Sequence, residues 1–152
     1  MKQSRNANLK RLDRLVRIRQ TYASVAETDL KQAESEVRRL EAADDETVGN
    51  IQDTRAEIAY LQSTSGHDIQ RTENYIRALT RQRQIIHRSL ETATSNLDRR
   101  RDEWTEAMRE EKIAEKLQER RLHQWQREND ITQQKSQDEA SIARYVRARA
   151  EE

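Results

Sequence analysis

The chain has 152 residues, of which 38% are charged, 33% are hydrophobic and 4% are aromatic, and it contains no proline and no cysteine. This composition is typical of long helices, and it excludes the extended hydrophobic core of a compact domain of this length. The 29 basic and 28 acidic residues are interspersed, so the basic stripe of a dedicated nucleic-acid binder is not expected, and disulfides and thiolate chemistry are excluded.

The first part of the chain predicts a long helix, over about residues 5–61. Apolar residues occupy seven of the eight positions in the seven-residue row Leu9–Ile58. A companion row, Leu12–Leu61, completes an a/d heptad pattern. Gly49 carries a helix-propensity cost of ~1 kcal/mol, so we expect the helix to be loose or bent near residues 48–50.

The heptads stop at residues 62–68, where serine, threonine and one of the two glycines cluster. This composition predicts a hairpin turn. Ser65 or Asp68 is expected to cap the helix that follows, because both side chains accept hydrogen bonds from free backbone N–H groups.

A second helix is predicted over about residues 69–147. Its two seam rows are Ile69–Glu111 and Thr72–Ala114, in which ten of fourteen positions are apolar. The predicted fold is therefore all-α, a two-helix antiparallel coiled coil (an α-hairpin rod) with a longer second helix. It forms a single domain over residues 1–152.

Folding the helices back on each other pairs residues whose numbers add up to about 130. Four layers follow from this register: Leu40 with Leu90, Ile51 with Leu79, Trp104 with Ala26, and Ala23 with Ala107. Two polar seam residues also find opposite charges, since Arg19 falls opposite Glu111 and Asp44 lies diagonally near Arg83. We predict both ion pairs, which set the register more than they add stability.

The second helix continues past the end of the first, from about Arg121 onwards. Its apolar residues there are scattered: Leu122, Trp125, Ile131, Ile142, Tyr145 and Val146. This stretch is either frayed or completed by another protein. Trp104 faces Ala26 and is expected to pack in the seam, whereas Trp125 is a candidate interface anchor, because an indole there has no partner helix.

Nothing in the sequence predicts catalysis or a cofactor. His67, His87 and His123 lack the i, i+4 spacing and the accompanying carboxylates of a zinc site, so no metal is expected. Ser63 and Ser65 lie near His67, but on a turn that has nothing to orient a nucleophile and a base. Carboxylate pairs for acid–base catalysis also need a cleft, which two helices do not enclose. The protein is predicted not to be an enzyme.

Tyr75, Leu79 and Ile86 form a further candidate set. Leu79 and Ile86 are seam residues for which simple packing is the plainer interpretation, whereas Tyr75 flanks the seam and faces either solvent or a partner.

Several short motifs stand on the uninterrupted second helix: Trp104, Leu117-Gln118-Glu119-Arg120, Glu128-Asn129 and Asp138-Glu139. They resemble, without a gap from Tyr75 to Glu139, the C-terminal half of FliJ, the small coiled-coil component of the flagellar type III export apparatus. The first helix, with Leu9–Leu12 (LKRL) and Val16–Arg19 (VRIR), is similar to FliJ and to its YscO-like injectisome counterparts.

The resemblance implies a stalk and escort protein. Proteins of this family resemble the central stalk of rotary ATPases, insert into the hexameric export ATPase and promote its assembly. They also contact the cytoplasmic domain of the large export-gate membrane protein and handle export chaperones. The implied location is cytoplasmic, peripheral at the cytoplasmic face of the inner membrane through partners only, and the unbound protein is expected to be a monomer. No membrane span of ~18 apolar residues and no signal peptide is predicted.

The resemblance also implies two partner-facing sets of residues. The ATPase-facing set is Leu117, Gln118, Glu119, Arg120, Arg121, Glu128, Asp138 and Glu139. The export-gate-facing set is Tyr75, Leu79, Gln82 and Ile86. This chain departs from the family pattern at Gln82 and Ile86, and also at Gln133 and Gln137, where the family often has an acidic and an apolar residue.

Three alternatives stay open. The first is an injectisome stalk protein, which genomic neighbourhood would separate from a flagellar one. The second is a generic structural coiled-coil scaffold, against which the turn at residues 62–68 argues, because a filament would keep its heptads running. The third is a binder of nucleic acid or anionic membrane through the basic ends, Lys2–Arg19 and Arg144–Arg149, against which the interspersed acidic residues argue.

Overall fold

A computed structural model describes the backbone of residues 2–60 and 65–150 and the side chains of residues 7–60 and 65–150. It contains two helices, α1 (Lys2–Tyr60) and α2 (Gly66–Ala150), of 59 and 85 residues. The all-α hairpin with a longer second helix is confirmed.

Helix α2 begins three residues earlier than predicted because Ser65 caps it. The Ser65 hydroxyl oxygen accepts a hydrogen bond from the backbone N–H of Asp68 at 3.2 Å, and the hydroxyl donates to Asp68 Oδ2 at 2.6 Å. A serine cap with a carboxylate three residues later satisfies free N–H groups and places negative charge at the helix N-terminus. The expected seam residue Leu61 and the turn residues 62–64 lie outside the described residues.

Two compact units divide the chain. One comprises the residues up to Ala23 together with those from Ala107 on, and the other comprises Ser24–Glu106. Both helices continue through the division, and the single domain over residues 1–152 stays a prediction.

The core is the narrow seam that the heptads predict. Every described position of the two α1 rows is buried or half-buried, and on α2 only Ile69 is exposed. The most buried apolar side chains are Val16, Ala23, Ala33, Leu40, Leu79, Ile86, Leu97 and Ala114. Three of these eight residues are alanines, whose small side chains let two helices approach closely. Trp104 is half-buried, in agreement with its expected place in the seam.

Polar contacts between α1 and α2 establish the antiparallel register in each unit. In the Ser24–Glu106 unit, Arg83 Nε donates to Asp44 Oδ1 at 2.9 Å and Arg100 Nη1 donates to Asp29 Oδ2 at 3.2 Å. The partner number on α2 rises as the number on α1 falls, so the helices are antiparallel. The predicted Asp44–Arg83 ion pair is confirmed.

In the other unit, the predicted Arg19–Glu111 pair is wrong by one residue. Arg19 Nη2 lies 3.1 Å from Glu110 Oε2, while Glu111 is half-buried in the seam row. The Arg19 side chain is long enough to leave the seam and reach its edge, where Arg19 and Glu110 are 39% and 40% exposed. Both charges keep part of their hydration there, so the pair avoids the desolvation cost of a seam site.

Helix α1 continues without interruption through Gly49, which has no positive φ. The expected loosening near residues 48–50 therefore does not break the helix. A Cβ added at Gly49 would meet nothing within 4 Å, so the glycine is not required by close packing.

Candidate partner-binding surfaces

The last part of α2 has no buried position. Every residue from 130 to 150 is exposed, including Ile131, Ile142, Tyr145 and Val146, whose exposed fractions are 54–66%. We call residues 130–150 the C-terminal stretch. Long exposed apolar side chains on one helix are typical of surfaces that another protein covers.

Before the C-terminal stretch, half-buried positions become sparse on α2. Gln118 and Asn129 are half-buried, and they are eleven residues apart instead of a multiple of seven. Leu122 and Trp125 lie between them, each 42% exposed. Regular burial at heptad spacing on α2 therefore ends with Gln118, seven residues after Glu111.

A groove of ≈ 400 Å³ lies between residues 8–12 of α1 and residues 117–128 of α2. Leu9 and Leu12 contribute its apolar wall from α1, and Leu117 and Trp125 contribute it from α2. Its polar lining residues are Asn8, Arg11, Arg121, Gln124 and Glu128. We call this the Trp125 groove. An indole that is 42% exposed and sits beside three leucines is suited to anchor a partner side chain.

The predicted ATPase-facing residues fall into three groups. Leu117, Arg121 and Glu128 line the Trp125 groove, and Gln118 beside them donates a hydrogen bond to Asp13 on α1. Asp138 and Glu139 lie in the C-terminal stretch and do not line the groove.

The remaining two of these residues, Glu119 and Arg120, are exposed on α2. His123 Nε2 lies 3.8 Å from Glu119 Oε1, one helical turn away.

The predicted gate-facing residues are also divided. Tyr75 is 51% exposed and Gln82 is exposed, whereas Leu79 and Ile86 are 7% and 9% exposed in the seam. A partner that docks on the intact hairpin reaches Tyr75 and Gln82 and not the other two. Sequence reasoning missed Ile85, which is 64% exposed. The heptad pattern contained the signal for this residue. It places Ile86 in the seam, so the side chain of the preceding residue, Ile85, points away from α1.

A polar cluster on the Ser24–Glu106 unit joins Asp44 to two side chains of α2. Asp44 accepts hydrogen bonds from Arg83 at 2.9 and 3.3 Å, and His87 Nε2 lies 2.9 Å from Asp44 Oδ1. The hydrogen bond and positive charge of Arg83 lower the pKa of the Asp44 carboxyl below its ordinary value. This cluster fixes the register, and its charges are satisfied within the hairpin.

Within the part of the chain that the structure describes, no three His, Cys, Asp or Glu side chains form a group that could hold a metal ion. The Ser65 hydroxyl is engaged in the helix cap. Ser63 lies outside the described residues. Neither helix, over its described length, has a stretch apolar enough to cross a membrane.

Comparison with known proteins gives one result. The model of the family described as flagellar FliJ protein matches residues 9–150, nearly the whole chain. Curated proteins and solved structures give no significant match.

Proposed function

The chain belongs to the FliJ family, whose members are components of the flagellar export apparatus, and we propose that it is the stalk of the export ATPase ring. In this role it enters the hexameric ATPase, promotes ring assembly, and supplies no catalytic group. The observation that carries the proposal is the Trp125 groove, where exposed Leu117 and Trp125 lie beside the side chains of Arg11 and Arg121. Such a surface is built for protein contact.

The family match also favours the flagellar system over the injectisome. Two further contacts belong to the proposal. The cytoplasmic domain of the export gate binds around Tyr75 and Gln82, and export chaperones are delivered by the same protein. In this proposal these partners hold the protein at the cytoplasmic face of the inner membrane.

The ATPase contact is tested by steady-state ATP hydrolysis and by the hexamer population of the cognate export ATPase. We expect wild-type protein to increase both. The combined substitution Leu117→Ser, Glu119→Lys and Arg120→Glu is expected to abolish the increase, because these exposed residues belong to the docking surface. Helix content and Tm are expected to stay near wild type.

A matched control variant carries Arg55→Glu, Glu57→Lys and Ala59→Ser, all exposed and all in the Ser24–Glu106 unit. It should stimulate the ATPase like wild type. Full stimulation by the Leu117 triple variant would refute the assignment of this surface, and equal loss in both variants would show a nonspecific effect of surface charge.

The gate contact is tested with Tyr75→Ala and with Tyr60→Ala as its control, since Tyr60 is 86% exposed. Tyr75→Ala should weaken binding of the gate's cytoplasmic domain by about tenfold, as expected for a buried aromatic anchor, and Tyr60→Ala should not. Equal affinities of wild type and Tyr75→Ala would remove Tyr75 from the interface.

A further inference from the structure

One side of the hairpin carries apolar residues from both helices near the Trp125 groove. Ile18 and Tyr22 on α1 are 45% and 63% exposed, and Ile113 and Leu117 on α2 are 57% and 41% exposed. Each pair has i, i+4 spacing, so each forms a stripe along one face of its helix.

The Arg19–Glu110 ion pair shows that the two stripes lie on the same side. It joins the helices across one edge of the seam at 3.1 Å. Tyr22 is three residues from Arg19, and Ile113 is three residues from Glu110. The stripe on α1 and the stripe on α2 therefore both flank this edge. Gln20 and Glu115, which approach to 3.5 Å, mark the opposite edge.

The stripes and the Trp125 groove are continuous, because Leu117 belongs to both. Together they make one elongated apolar track, which we call the docking track. Its length along the helix axis, from Tyr22 to Leu9, is about 20 Å at 1.5 Å per residue, or nearly four turns of a helix laid along it.

The charge around the docking track is positive. Residues 9–23 and 107–128, which contain the track, together carry 11 Lys and Arg against six acidic residues, whereas residues 24–106 carry 12 against 17. Of the arginines that line the groove, Arg11 has no ion pair with a carboxylate among the described side chains, and Arg121 donates to the neutral side chain of Gln124 at 3.2 Å. These two positive charges lie beside the apolar surface, and Glu128 is the acidic residue of the same lining.

We propose that the docking track binds an acidic amphipathic helix of a partner protein. The partner's apolar side chains, spaced at i, i+3 or i+4, fill the groove beside Trp125 and cover the stripes, and its acidic side chains pair with Arg11 and Arg121. A second copy of this chain does not fit, because a symmetric dimer on this face would bring two basic tracks together. Nucleic acid would leave the aliphatic side chains without a partner.

The proposal rests on the proposed function only in using this end of the hairpin for docking. It is tested without the ATPase, using two designed 18-residue helical peptides with the same leucine positions. One has glutamate at its polar positions and the other has lysine. Binding of fluorescently labelled peptide to the full-length protein is measured by anisotropy, with an 18-nucleotide single strand as a third probe.

The glutamate peptide should bind at least about tenfold more tightly than the lysine peptide, and its binding should weaken with salt. Leu117→Ala with Trp125→Ala should lower its affinity by at least about tenfold. Arg11→Glu with Arg121→Glu should reverse the preference between the two peptides. Tyr60→Ala and Arg88→Glu, at exposed residues of the other unit, serve as controls and should leave both affinities unchanged.

Equal binding of the two peptides, no binding of the glutamate peptide, or preferential binding of the oligonucleotide would each overturn the proposal. A second measurement separates it from the stalk assignment. Glutamate-peptide binding without ATPase stimulation contradicts the stalk alone, whereas stimulation without peptide binding contradicts the acidic helix alone.

Discussion

The two parts of α2 have similar polar composition and the same backbone conformation, yet they bury very different amounts of side chain. Up to Ala114, positions spaced by three and four residues are buried against α1, whereas residues 130–150 are exposed without exception. Helix formation alone therefore does not mark the core. The C-terminal stretch is therefore a long helical surface that is not packed against α1. Packing of this kind supplies most helix stability in proteins, so a partner that covers this surface would stabilise it.

The largest expected difference between the two parts is in core substitution. Leu97→Ala removes a side chain that is 7% exposed and should lower the free energy of unfolding by about 2–3 kcal/mol, near the lower end for leucine because the seam is narrow. Ile142→Ala, at a side chain 63% exposed, should change it by less than about 0.5 kcal/mol. Urea unfolding followed by circular dichroism measures both free energies. A similar loss of stability in the two variants would contradict the difference between the packed and the exposed parts of α2.

Much of this division follows from the sequence by simple periodicity. A seven-residue row finds Val16, Leu40 and Leu97 because an α-helix presents every third and fourth residue to its neighbour. The register follows too, since only one alignment places Asp44 beside Arg83. The heptad rows include Leu9 and Leu12 but did not predict the Trp125 groove, because Leu117 and Gln124 on α2 lie outside the rows and Trp125 was expected to lie beyond the end of α1.

Individual charged contacts were harder to predict than the seam. A row identifies Arg19 as a seam residue, but the pair with Glu110 depends on how far a flexible side chain extends toward water, and periodicity does not determine that. The Arg100–Asp29 contact was missed for the same reason. Its signal was present, since Arg100 is a polar residue in a seam row and Asp29 lies opposite it.

The next expected effect is at the helix cap. Ser65→Ala removes the hydroxyl that accepts from the Asp68 N–H and should lower the free energy of unfolding by about 1 kcal/mol, the usual cost of losing a serine cap. Ser141→Ala, within the C-terminal stretch, should be neutral or slightly stabilising, because alanine is the better helix former. An unchanged Tm for Ser65→Ala would show that the cap does not hold the start of α2.

Gly49→Ala should act in the opposite direction. The added Cβ meets nothing within 4 Å and alanine favours the helix over glycine, so the free energy of unfolding should rise by up to about 1 kcal/mol. A lower Tm than wild type, measured by thermal circular dichroism, would mean that α1 needs the glycine for a distortion or a partner contact.

The smallest expected effect is the pH dependence of the Asp44 cluster. Arg83 lowers the folded-state pKa of Asp44 below its ordinary value of 3.8. The stabilisation is therefore complete above pH 3.8, and it is lost as the pH falls through the lower folded-state pKa. Asp44→Asn should be less stable than wild type at neutral pH, and the difference should shrink in acid. A difference that stays constant down to pH 2 would exclude this ion pair as its cause.

The most direct test of the central claim is amide hydrogen exchange across α2, with the protein alone and with the cognate export ATPase. Alone, residues 130–150 should exchange much faster than the seam around Leu97, because no packing protects their hydrogen bonds. With the ATPase, the amides of residues 130–150 and those around Trp125 should become protected while those near Leu97 stay unchanged. Protection of residues 130–150 in the free protein, or the same fast exchange with the ATPase bound, would contradict the account of this surface as a docking element.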